Sequence, residues 1–301
     1  MELFKASNLV KKYGKMNAVK GISFHVEEGR CVALLGPNGA GKTTTLKMLS
    51  GLLEPTSGTI DFKGEVGKDL RQFIGYLPQY PAFYNWMSGK EFLVFVGQLA
   101  KLKRKEAEKR SEELLERVGL MNAKKRKIGG FSGGMKQRLG LAQALIHRPK
   151  LLILDEPVSA LDPLGRREVL NMMKEIKKET TILFSTHVLH DAEEISDDIL
   201  IMHAGEIAIS GRLESVMEEY RQPILQIEFE SQVDDWIESL VEFSFVSEVN
   251  IQGNKTSIVL RDIVNGKQTL LKEIVDKKLP IRKFEISQTT LEDLFMKVVK
   301  A

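Results

Sequence analysis

The chain has 301 residues, 43% of them hydrophobic, with 44 basic and 41 acidic side chains and a formal net charge of +3. That length suits one large domain plus a smaller one, and the near balance of charge excludes both a general polyanion-binding surface and an acidic, disordered character. Nucleic acid is therefore not an expected partner. The single cysteine, Cys31, excludes an internal disulfide framework and fits a reducing cytoplasm; in the run Cys31-Val32-Ala33-Leu34-Leu35 it reads as a buried, inert thiol.

The start, Met1-Glu2-Leu3-Phe4-Lys5, lacks the basic and apolar regions of a secretory signal. No uninterrupted apolar run reaches about 18 residues, so the chain is expected neither to cross a membrane nor to be exported. From Phe4 to Phe62, strands including 21–26, 30–35 and 58–62 are joined by turn signals such as Tyr13-Gly14 and Glu28-Gly29, and read as an antiparallel patch attached to a parallel core.

Directly after the apolar strand 31–35 comes Gly36-Pro37-Asn38-Gly39-Ala40-Gly41-Lys42-Thr43, and a helix opens through Thr44, Leu46, Met48 and Leu49. Strand before and helix after are the setting a phosphate loop requires. The glycines let the backbone curl so that N–H groups point at phosphate oxygens, the helix start adds a positive dipole, Lys42 supplies a movable charge and Thr43 a hydroxyl for Mg²⁺.

The strand 74–77 follows, and then Tyr80 to Met87, with Pro81, Phe83, Tyr84 and Trp86. This segment is read either as a docking surface for a partner helix or as an aromatic cluster packed under the next element. Between 91 and 147 the periodicity is almost wholly helical; 101–117 is dense in mixed charge, with Leu114, Leu115 and Val118 on one stripe, as expected of an amphipathic insert with a solvated face. Within it Ser132-Gly133-Gly134 precedes a helix carrying Leu139, Ala142, Leu145 and Ile146, a second anion-binding helix start with a hydroxyl at the cap.

Leu151-Leu152-Ile153-Leu154-Asp155-Glu156-Pro157 is an apolar strand ending in two acids. Bare carboxylates beside such a strand would cost several kcal/mol unless a cation or donor faced them. Asp155 is thus expected in a Mg²⁺ shell and Glu156 as the group that orients and partly deprotonates an attacking water. The runs 32–35, 151–154 and 181–185 are too continuous for one wet face and argue, with 198–203, for a parallel sheet covered by helices.

A boundary is expected near Tyr220-Arg221-Gln222-Pro223, dividing a domain 1–220, with its helical subdomain at about 88–147, from an accessory α+β domain 221–301. Downstream, strands 224–230, 245–251, 256–261 and 281–286 alternate with helices 233–242 and 267–277 in a βαββαβ, ferredoxin-like order, closed by a helix from Thr290.

Taken together, Phe131-Ser132-Gly133-Gly134-Met135-Lys136-Gln137-Arg138, placed between the phosphate loop and the two acids, resembles the signature of ATP-binding cassette (ABC) ATPases. The resemblance covers roughly the first 220 residues. It implies an α/β, P-loop NTPase fold with a parallel sheet core, an antiparallel β subdomain and a helical subdomain, followed here by the ferredoxin-like domain. It implies a head-to-tail dimer, most simply of two identical copies, in which each ATP lies between the phosphate loop of one subunit and the signature of the other. Where the family carries Leu and Gln, this chain has Phe131 and Met135, and Met135 has no amide to hydrogen-bond.

The same resemblance makes Gln79 the glutamine that contacts Mg²⁺ or the attacking water, Ser159-Ala160-Leu161-Asp162 a loop that crosses the dimer interface, His187 a contact to the γ-phosphate, and Tyr13 the ring against adenine. Outside that order the glutamine reads as a turn residue, His187 as a polar residue at a sheet edge and Tyr13 as a packed turn tyrosine. The closing Thr289-Thr290-Leu291-Glu292-Asp293-Leu294-Phe295 resembles that of exporter ATPases of the drug and antibiotic kind, whose permeases are separate chains. The expectation is an ATPase on the cytoplasmic face of the cell membrane that energises export of an unknown substrate.

Overall fold

A long hairpin begins the chain. The strands β1 (Glu2–Tyr13) and β2 (Met16–Glu27) pair antiparallel across Gly14-Lys15; Phe4 and Ala6 turn inward by alternation, and Leu9 does so after a register shift. In the computed structural model, residues 1–63, 69–159, 161–220, 222–231 and 233–300 are described, and they divide into two units, Met1–Leu213 and Glu214–Lys300. Ala160 of the expected interface loop and Arg221 at the expected boundary lie outside the described residues.

In the first unit β3 (Cys31–Leu35) leads through a loop into α1 (Lys42–Leu49), and β4 (Ser57–Phe62) returns to pair with β1, giving an antiparallel sheet of order β2-β1-β4. After it come β5 (Ile74–Leu77), α2 (Gly89–Leu99), α3 (Arg104–Arg117), α4 (Gly133–Leu145), β6 (Leu151–Asp155), α5 (Pro163–Ile176), β7 (Thr181–Thr186), α6 (Leu189–Ile195), β8 (Asp198–His203) and β9 (Glu206–Arg212). The six-stranded sheet has the order β5-β6-β7-β3-β8-β9. Every neighbouring pair is parallel except β8 and β9. An antiparallel edge therefore closes the expected parallel core, and no apolar run announced it, because β9 has no buried residue.

β3, β6 and β7 are buried at every residue, as strands covered on both faces must be. Phe4, Leu9 and Val26 of the antiparallel sheet join Leu34, Leu49, Leu151, Ile153 and Leu183 in one core. Each such side chain contributes about 1.5–3 kcal/mol by its burial. Because β6, β7 and β3 are adjacent and parallel, their carboxyl ends lie side by side, where open α/β sheets present their ligand sites.

The helical part follows from amphipathic spacing and caps. α2 starts on a reciprocal pair, Glu91 N–H to Ser88 Oγ at 3.3 Å and Ser88 N–H to Glu91 Oε2 at 2.7 Å. α3 buries Ala107, Ser111, Leu114 and Leu115 and turns its charges outward, where Arg104 meets Glu108 at 3.0 Å.

The second unit contains β10 (Pro223–Phe229), α8 (Asp234–Ser239), β11 (Val246–Gln252), β12 (Lys255–Leu260), α9 (Ile263–Asp276), β13 (Ile281–Gln288) and α10 (Leu291–Lys300), with α7 (Leu213–Glu219) at the division. Its antiparallel sheet of order β11-β12-β10-β13 is the ferredoxin-like arrangement, and Leu225, Ile227, Phe229, Trp236, Ile258 and Leu270 fill its core. Among the described residues no helix is long and apolar enough to cross a membrane.

Candidate functional site

The loop between β3 and α1 is held by backbone on two sides. A Cβ on Gly36 would lie 2.5 Å from the carbonyl oxygen of Met202; one on Gly41, whose φ is +102°, would lie 2.6 Å from that of Ala18. Only glycine fits either position. Gly205 N–H donates to Ala40 O at 3.1 Å, which ties the loop to the β8–β9 turn. Pro37 is half-buried, whereas Asn38 and Gly39 are exposed at the tip. No side chain caps α1, so the N–H groups of its first turn are available to an anion.

Lys42 is 7% exposed; its Nζ donates to Gly36 O at 2.7 Å and lies 3.8 Å from Glu156 Oε1. Burial lowers the pKa of this ammonium, and the nearby Glu156 and Asp155 oppose that effect. Next to it Thr43 Oγ1 donates to Asp155 Oδ1 at 3.1 Å, an oxygen that also accepts from Ser185 Oγ at 2.7 Å. The Ser185 hydroxyl in turn accepts Glu156 N–H at 2.9 Å. His187 Nδ1 stands 2.7 Å from Glu156 Oε2. An ionised carboxylate only accepts, so Nδ1 carries the proton in that contact.

Glu156 is 7% exposed and has φ +50°, a left-handed conformation that a side chain adopts at a cost of about 1 kcal/mol or more. Its carbonyl accepts from Ser159 N–H at 3.3 Å and Ser159 Oγ at 3.2 Å, which turns the chain toward α5. The donor set around Asp155 is one carboxylate and one threonine hydroxyl, and no group of three or more His, Cys, Asp or Glu stands together among the described residues. Such oxygens fit magnesium, a hard cation that keeps much of its shell for water and phosphate.

The hydrogen-bonded cluster thus unites Lys42, Thr43, Asp155, Glu156 and His187, with Thr44 half-buried in α1 beside them in sequence. Beyond the loop 36–44, the other expected site residues share no hydrogen bond with it among the described residues, although Gln79 follows β5, whose Leu77 pairs with Leu154 of β6. Tyr13 ends β1, is 47% exposed, and has Lys11 Nζ at 5.5 Å from its ring centroid. Gln79, two residues beyond β5, is half-buried, and its side chain makes no hydrogen bond among the described residues. Ser132 caps α4, its Oγ accepting Met135 N–H at 3.2 Å; Ser132 and Gly133 are exposed and Gly134 half-buried. The aromatic segment divides between its two readings: Phe83 packs edge-on against Phe92 at 5.1 Å, while Tyr84 and Trp86 are 51% and 70% exposed.

Ser185 was not singled out by sequence reasoning. Its signal is a hydroxyl near the end of an otherwise apolar, fully buried parallel strand, where an unpaired polar group would be costly.

Comparison with known proteins bears on the whole chain. The ABC transporter family matches residues 19–159, and the family described as "ATP-binding protein DrrA1-3-like, C-terminal domain" matches residues 211–299. The chain is 50% identical over 294 residues, 98% of each chain, to the uncharacterized ABC transporter ATP-binding protein YxlF of Bacillus subtilis (strain 168). It is 34% identical over 305 residues, covering 99% of this chain and 97% of the relative, to the bacitracin transport ATP-binding protein BcrA of Bacillus licheniformis. Among solved structures, an ATP-binding subunit of an ABC transporter aligns with a TM-score of 0.65 and 34% identity, over 72% of this chain and 93% of that one. The dimeric post-hydrolysis state of the ATP-binding cassette MJ0796 bound to ADP and Pi aligns with a TM-score of 0.64 and 25% identity, over 70% and 99%.

Proposed function

We propose, because this chain belongs to the ABC transporter ATP-binding family, that the cluster around Asp155 and Glu156 is its hydrolytic centre and that a second copy completes it. The chain is the ATP-binding subunit of an ABC transporter, an ATPase whose hydrolysis is coupled to transport. The observation that carries the proposal is the convergence, at the carboxyl ends of three adjacent parallel strands, of a phosphate-type loop with Lys42, a paired threonine and aspartate, and a buried glutamate joined to a histidine.

In this reading backbone N–H groups within residues 36–44, all but Pro37 having one, and the Lys42 ammonium take the β- and γ-phosphates, and Tyr13 stacks on the adenine. Thr43 and Asp155, with Gln79, hold Mg²⁺, which when bound neutralises phosphate charge. Glu156 accepts a proton from the water that attacks the γ-phosphorus; the bond to the bridging oxygen breaks, and ADP and phosphate form. His187 gives up its hold on Glu156 to face a γ-phosphate oxygen. Ser132, Gly133 and Gly134 of a second copy close the pocket from the opposite side, their helix start aimed at the same phosphates.

Closure and reopening of that dimer would drive a permease on a separate chain at the cytoplasmic face of the membrane. Tyr84 and Trp86 form the exposed part of the contact. The bacitracin transport relative supports export of a drug- or antibiotic-like molecule. The ATPase domain is assigned to 1–220 and the accessory domain to 221–301. Sedimentation of the E156Q chain with and without ATP and Mg²⁺ tests the composite pocket: a nucleotide-dependent dimer supports it, and a chain that binds ATP but stays monomeric at every concentration overturns it.

A further inference from the structure

Glu156 and His187 belong to different chain segments, and each leads within a few residues into its own helix. From Glu156 the chain turns through Ser159 to Asp162, whose side chain caps α5 by accepting Gly165 N–H at 2.7 Å; Arg166 N–H then bonds Asp162 O at 2.9 Å. From His187 it passes Val188, whose N–H is held by Thr186 Oγ1 at 2.9 Å, into α6, where Asp191 N–H reaches Val188 O at 3.2 Å. Movement of the start of α6 therefore carries His187, two residues before it.

The two helices are strapped together by charge. Arg166 donates Nε at 3.0 Å and Nη2 at 2.6 Å to the same oxygen, Oδ1, of Asp191. Farther along, Arg167 and Lys174 meet Glu194 at 2.9 Å and 2.7 Å. The Arg166–Asp191 pair differs from these in burial and position. Asp191 is 1% exposed, its second oxygen, Oδ2, is buried without a partner among the described residues, and of these bridges the pair is nearest in sequence to Glu156 and His187. A buried bridge is weak evidence of a stabilising role, because an apolar pair of similar volume often does as well. His187, meanwhile, has a side chain 52% exposed, so packing does little to fix it.

We propose that Arg166 and Asp191 are positioning residues for the Glu156–His187 pair. Without nucleotide, Glu156 meets His187 at the reacting end and Arg166 meets Asp191 at the far end; the far bridge remains when His187 turns from Glu156 to the phosphate. Fixing the far end sets where the imidazole sits relative to the water and phosphate that Glu156 serves. The proposal rests on the roles given above to Glu156 and His187.

The test compares R166M, D191L, the double variant R166M/D191L and the conservative R166K with the parent, in the full-length chain. Measured are kcat and KM for MgATP, binding of a fluorescent ATP analogue, and the thermal midpoint. In R166M and D191L, kcat falls about tenfold or more, the scale expected of a small misplacement near the chemistry, while KM and analogue binding change by less than about twofold. The double variant, an apolar pair, regains the parental midpoint but not kcat. R166K, which folds with its charge intact, cannot place a planar fork on Oδ1 and shows a partial loss of kcat. Recovery of kcat together with the midpoint in the double variant, or parental kcat in R166K, overturns the proposal. The E156Q chain is run alongside: if it hydrolyses ATP at the parental rate, the underlying assignment fails, whatever Arg166 does.

Discussion

His187 Nδ1 and Glu156 Oε2 stand 2.7 Å apart across two neighbouring parallel strand ends, although 31 positions separate them in sequence. The other oxygen of the same carboxylate lies 3.8 Å from Lys42 Nζ. One buried glutamate therefore faces both the phosphate-loop lysine and the histidine. E156Q keeps the size of this side chain and removes its basicity. Hydrolysis is expected to fall by about two orders of magnitude or more, the usual contribution of a positioned base, while ATP still binds. Single-turnover hydrolysis and equilibrium binding, measured on one preparation, check both halves.

Lys42 is a cation that burial disfavours in the chain without nucleotide. K42M removes that penalty together with the phosphate ligand. The increase in thermal midpoint that ATP confers on the parent should vanish. A variant that keeps its ATP-induced shift would contradict the role given to this lysine.

Ser185 joins both acids, donating to Asp155 Oδ1 and accepting Glu156 N–H. S185A leaves that N–H buried without its acceptor, a loss of about 1–3 kcal/mol. The expected result is a lower midpoint in calorimetry and reduced kcat; S185T, which retains the hydroxyl, should recover part of each.

Burial pushes the Cys31 thiol from 9.0 up to about 12, so it stays protonated in the folded chain at neutral pH. A thiol-specific reagent at pH 8 should label the native protein negligibly and the denatured protein stoichiometrically. The sign of the linkage follows from the raised value: below pH 9 this thiol does not alter stability, and between pH 9 and about 12 its ionisation favours the unfolded chain. A C31S variant should show a shallower alkaline loss of stability in that window.

Features carried by contiguous residues were legible in the sequence. The apolar strand 31–35 leading into a glycine-rich turn and a helix, and the strand 151–155 ending in acids, declare themselves over a dozen residues each. The βαββαβ order of the second unit came from the succession of strand-like and helix-like runs in the same way. Features made by residues distant in sequence were not. β9 escaped because an exposed edge strand needs no apolar run. The bridging role of Ser185 depends on partners about 30 positions away that only strand pairing brings close, and nothing local marks Asp191 as a fully buried carboxylate. For Gln79 and Tyr13 the resemblance alone supplied the expectation, whereas the Ser132 turn was also marked by a hydroxyl at a helix start. Among the described residues none of them shares a hydrogen bond with the cluster.

The left-handed backbone of Glu156 has a consequence for anyone who engineers this protein. Glycine relaxes such a position at no steric cost, and asparagine tolerates it better than glutamate, so any search guided by folding stability alone will favour replacing this residue. If Glu156 is the base proposed above, such a replacement would silence the motor while relaxing its backbone, and a library screened only for heat resistance should enrich for inactive variants at this position.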